Sequence, residues 1–88
     1  MNRGILTITK PEYDELMKNF HVNNYSNTPL FSKLTSVSQL GEITEVEILL
    51  SSDELEIILD DIGFVDININ PLLNSVITKI SQKLNSFN

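Results

Sequence analysis

Apolar and polar positions along the chain follow two distinct periods. Near residues 43–50 the period is two. Thr44, Val46, Ile48 and Leu50 fall on one side, and Ile43, Glu45, Glu47 and Leu49 on the other. Near residues 4–8, Leu6 and Ile8 alternate with Ile5 and Thr7 in the same way. Alternate side chains of a strand point to opposite faces, so both stretches predict strands covered by helices on one side only.

Elsewhere the period is helical. Tyr13, Leu16, Met17 and Phe20 form one apolar stripe, and Leu55, Ile58, Leu59 and Ile62 form another. These predict helices near 10–20 and 52–62. Each has a start signal. Thr9 with Glu12, and Ser51 with Glu54, have the spacing of a capping box, in which hydroxyl and carboxylate satisfy each other's backbone N–H. Pro11 is tolerated in the first turn, where its missing N–H would have had no partner. Gly63 is the expected left-handed stop of the second helix. Thr28-Pro29 and Asn70-Pro71 each place a capping residue before a proline, which predicts two more helices near 29–39 and 71–86. In the last helix Leu73, Ile77, Ile80, Leu84 and Phe87 recur at spacings of 4, 3, 4 and 3, widened by Val76. Two heptads are too few for a coiled coil, so the stripe reads as the largest wall of a core. Polar loops are expected near 21–28 and 63–70.

The two halves correspond at an offset of 42 residues. Leu6 and Ile8 align with Ile48 and Leu50, Glu12 with Glu54, and Pro29-Leu30 with Pro71-Leu72. The expectation is therefore a single α+β domain over 1–88, ordered β-α-α-β-α-α, with an internal repeat at 4–40 and 46–82. A sheet of two strands is marginal in water, and both strands would be edges. Two solutions are open. Either a homodimer completes a four-stranded sheet, or Val65, Ile67 and Ile69 alternate within a third strand.

Charge narrows the choice of partner. The net charge is −6, distributed as +1 over residues 1–41 (four basic, three acidic) and −7 over residues 42–88 (two basic, nine acidic). All nine of those acids lie between Glu42 and Asp66, a span without Lys or Arg. Phosphate contact needs a basic footprint, so direct nucleic-acid binding is not expected, whereas a basic protein partner or mimicry of a nucleic acid is compatible with the charge. Asp60 and Asp61 stand out, because carboxylates at a helix C-terminus oppose the dipole and no basic residue stands at i±4. Together with Glu45, Glu47 and Asp66 they are the candidate partner-binding residues.

Catalytic and metal chemistry find little support. There is no cysteine and one histidine, His21, expected to interact with the last carbonyls of the first helix. Asp66-Ile67-Asn68-Ile69-Asn70 resembles a calcium loop only at its start, since Pro71 and Ile77 occupy the defining Gly and Glu positions. No cofactor is expected. Asn24-Tyr25-Ser26 fits a glycosylation acceptor, but the short apolar patch at the N-terminus is no secretory signal, and a cytoplasmic, non-membrane protein is expected. Tyr25 suits either partner contact or anchoring against the helices. The reading is a non-enzymatic acidic interaction module of inhibitor, immunity or antitoxin type. The alternative is a homodimeric structural subunit assembled through strand edges and the last helix.

Overall fold

Two strands run directly into two helices, and the capping residues at both junctions explain why. The computed structural model of the protein describes residues 3–36 and 44–87. Strand β1 spans Arg3–Thr9 and is followed without a loop by helix α1, Lys10–Asn19. Strand β2 spans Glu45–Ser51 and passes as directly into helix α3, Ser52–Ile62. Thr9 and Ser51 are at once the last strand residue and the N-cap, both with extended backbone. Both capping boxes form. The Glu12 and Glu54 N–H groups donate to Thr9 and Ser51 Oγ at 3.2 Å, and the capping N–H groups donate to the glutamates at 2.7 and 2.9 Å. Helix α2 spans Pro29–Ser36 and helix α4 Pro71–Asn85, capped by the Asn70 side chain on Leu73 N–H at 3.0 Å. A short 3-10 turn, Val22–Tyr25, links α1 towards α2.

The strands pair antiparallel as a two-stranded sheet, in a register that places Leu6 opposite Ile48, Ile8 opposite Val46 and Ile5 opposite Leu49. One face is buried. Leu6, Ile8, Val46, Ile48 and Leu50 meet Leu16 from α1, Leu34 from α2, Leu55 and Ile58 from α3, and Val76 and Ile80 from α4 in one core. On the other face Ile5 and Leu49 remain half exposed. Among the described residues no helix is long and apolar enough to cross a membrane.

Over the described residues the architecture agrees with an α+β domain of two strands and four helices; one open alternative is decided, and several details differ from expectation. Residues 63–69 form no third strand, but a connector with a turn at 67–69. Alternation at Val65, Ile67 and Ile69 is outweighed by local hydrogen bonding, since Asp66 O accepts from Ile69 and Asn70 N–H at 3.0 and 2.9 Å. Gly63 terminates α3 at φ 75, but ψ −152 lies in the glycine-only region rather than in the left-handed helical one. Val76 and Ile80 are the fully buried members of the α4 stripe, whereas Ile77 is only partly buried. Thr44 is exposed, so the buried face of β2 begins at Val46. The expected continuation of α2 to 39 and the start of β2 at 43 lie outside the described residues.

Candidate interaction surface

The buried polar groups serve the fold. Glu12 is 3% exposed yet charged. Its carboxylate accepts from Lys79 Nζ at 2.6 Å and Ser75 Oγ at 2.5 Å, joining the start of α1 to α4. Burial pushes its pKa up, but hydrogen bonds from Lys79, Ser75 and the Thr9 backbone, together with the ammonium charge, outweigh that and lower it to about 2. Glu54 repeats the arrangement with Lys33 of α2 at 2.6 Å. Its pKa is lowered despite burial by bonds from Lys33 and the Ser51 backbone. Tyr13 OH donates to Leu34 O, tying α1 to α2, and burial with the nearby Asp14 charge raises its pKa. Tyr25 stacks on Phe20 with centroids 5.3 Å apart, so its ring is an anchor of the 21–28 segment.

The five predicted acids do not share one environment. Glu45 and Glu47 stand exposed on the bare side of β2, beside Leu49. Asp60 is exposed in the last turn of α3. Asp61 is engaged by the fold. Its side chain is 10% exposed, it accepts the His21 N–H at 2.8 Å, and it lies 3.1 Å from His21 Nδ1. The same contact shows His21 facing Asp61 rather than the end carbonyls of α1. Asp66 sits in the 63–70 connector, where its carboxylate accepts Asn68 N–H at 2.8 Å.

Asp61 and Asp66 do come together, on an open depression of about 490 Å³ whose other lining residues include His21, Phe64, Ile69 and Leu73. Here the structure adds Phe64, together with Ile67 and Ile69, which the sequence pattern offered to a third strand and not to a binding surface. Phe64 is 93%, Ile69 83% and Ile67 59% exposed, with Leu72 just beyond them. The backbone that carries them is held. Besides the Asp66 bonds, Val65 O accepts from Asn74 Nδ2 at 3.1 Å, and Asn70 Nδ2 donates to Glu15 at 3.0 Å. Large apolar side chains are thus presented to solvent on a hydrogen-bonded connector with carboxylates beside them. Their only sequence signal was an apolar alternation with no strand to pair against. Among the described residues no group of three His, Cys, Asp or Glu side chains converges as a metal-ligand set. No protein-family model matches the chain, and no curated protein or solved structure matches it significantly.

Proposed function

We propose that this protein is a non-enzymatic interaction module whose contact surface is the 63–70 connector together with the C-terminal end of α3. The observation that carries the reading is the exposure of Phe64, Ile67 and Ile69 on a backbone fixed by hydrogen bonds. Contiguous apolar surface rimmed by polar groups marks interaction sites, and a pre-ordered segment lowers the entropy lost on binding. Asp66, which lines the same depression as Phe64 and Ile69, and Asp60, exposed in the last turn of α3, favour a partner that brings basic residues to an apolar patch, with carboxylates setting specificity and encounter rate. An inhibitor, immunity or antitoxin role fits such a surface. The test is capture of partners from the native cell by wild-type protein and by the Phe64→Ser/Ile69→Ser double variant. Both side chains are exposed, so the variant retains its helical circular dichroism. Loss of the captured basic protein supports the reading, and an unchanged set of captured proteins refutes it.

Assembly of copies through strand edges is a second reading, favoured by a sheet of two strands among the described residues. We also infer that the halves are copies of one β-α-α unit. Two features support this. The pair Leu6–Ile48 is separated by the 42-residue offset itself, and the offset exchanges Ile5–Leu49 with Thr7–Glu47, as a two-fold axis through that pair requires. Ser75 also lies 42 residues after Lys33, and the two contact Glu12 and Glu54 respectively.

A further inference from the structure

The free edge of β1 carries unused hydrogen-bonding groups beside a cationic groove. Lys10 N–H donates to Thr44 O at 2.9 Å, which continues the ladder register by one pair. In an antiparallel ladder hydrogen-bonded and non-bonded pairs alternate, so Gly4, Leu6 and Ile8 bond β2. The N–H and C=O groups of Ile5 and Thr7 therefore point away from it. Glu12 takes the Thr9 N–H, but nothing among the described residues takes those of Ile5 or Thr7.

These residues line a groove of about 370 Å³, whose far wall is α4 with Lys79, Gln82 and Lys83. The helix lies close. A Cβ built on Gly4 would stand 3.2 Å from Lys83 Cδ and 3.0 Å from the Phe87 ring. Lys79 is neutralised by Glu12, whereas neither Lys83 nor Arg3 has a carboxylate partner among the described residues.

We propose that this edge binds an extended acidic segment of another protein, which adds to β1 as a third strand. Its backbone pairs with Ile5 and Thr7, and its carboxylates turn towards Lys83 and α4. Its intervening apolar side chains lie on the bare face beside Ile5 and Leu49. Strand addition of this kind draws affinity from main-chain bonds and specificity from alternate side chains. β1 itself carries Arg3 and no carboxylate, so a second copy paired β1 to β1 would bring no acid to this groove, and charge favours a foreign acidic strand. The site is separate from the 63–70 surface, and either can fail without the other.

The test uses an acetylated, amidated seven-residue peptide alternating Val and Glu, and its counterpart alternating Val and Lys. The overall charge of −6 attracts the Lys peptide, so preference for the Glu peptide reports the groove itself. The Glu peptide is expected to bind roughly tenfold tighter or more, and Lys83→Glu to remove about that factor. On binding, amide exchange at Ile5 and Thr7 slows about tenfold, while Gly4, Leu6 and Ile8 are protected throughout. Thr7→Pro removes only an outward donor, a substitution that edge strands tolerate, and abolishes binding. Should that variant fail to fold, Lys83→Glu and the exchange measurement decide. The proposal is overturned if the Glu peptide does not bind at millimolar concentration or if both peptides bind equally. It is also overturned if protection appears at residues 63–70 instead, or if Ile5 and Thr7 are already protected in a dimer seen by light scattering.

Discussion

Replacing Glu12 by Gln keeps the shape of the side chain and removes its charge. The carboxylate closes the capping box of α1 and receives both Lys79 and Ser75 from α4, so one substitution weakens a helix start and a long-range clasp. Its pKa falls from 4.5 to about 2 on folding. Allowing for solvent screening around the partly exposed Lys79, that shift corresponds to on the order of 1–3 kcal/mol of stability at neutral pH. The sign follows from the depressed folded-state value. The contribution is complete above pH 4.5 and is lost as pH falls through about 2. Urea denaturation followed by circular dichroism measures it directly. At pH 7 the midpoint of Glu12→Gln should fall, with a melting temperature lower by roughly 5–15 °C. The gap to wild type should narrow progressively between pH 4.5 and 3. Lys79→Met should abolish most of the remaining effect of Glu12→Gln, because the two changes remove one interaction. A difference below about 0.5 kcal/mol, or one that stays constant between pH 7 and 3, would refute the clasp.

Other positions give sharper contrasts. Gly63→Ala, at φ 75, should cost about 1–3 kcal/mol in the same denaturation assay, although no atom crowds the site. Ile58→Ala should cost roughly 2–5 kcal/mol as a core cavity, whereas exposed Ile67→Ala should stay within about 0.5 kcal/mol. The neighbours at the end of α3 should separate. Asp61→Asn weakens the bond to His21 N–H and should destabilise by about 1 kcal/mol, while Asp60→Asn relieves the helix dipole and should be neutral or stabilising by ~0.3–1 kcal/mol. Equal effects of these two substitutions would contradict the distinct environments described for them.

Local chemistry made the elements legible. Thr9 with Glu12 and Ser51 with Glu54 marked the helix starts, and the period-two stretches marked the strands and their buried faces. What could not be read were relations between residues far apart in the chain. Lys79 reaches Glu12, and His21 reaches Asp61, only after the helices pack. Carboxylates selected by charge alone therefore divided into Asp61 and Asp66, which accept backbone N–H groups of the fold, and Asp60, Glu45 and Glu47, which face solvent. Alternation at Val65, Ile67 and Ile69 was ambiguous for the same reason. A strand needs a neighbour to satisfy its backbone, and here Asp66 and Asn74 supply the bonds instead. The apolar side chains were consequently left outside, where they define the surface proposed for binding.

That surface can be tested with a photo-reactive amino acid placed at position 64 and, as a control, at position 18, which is exposed on α1. Irradiation in the native cell should cross-link position 64 to a basic protein and leave position 18 without that product. Cross-linking of the same proteins from both positions, or of none from position 64, would contradict the account.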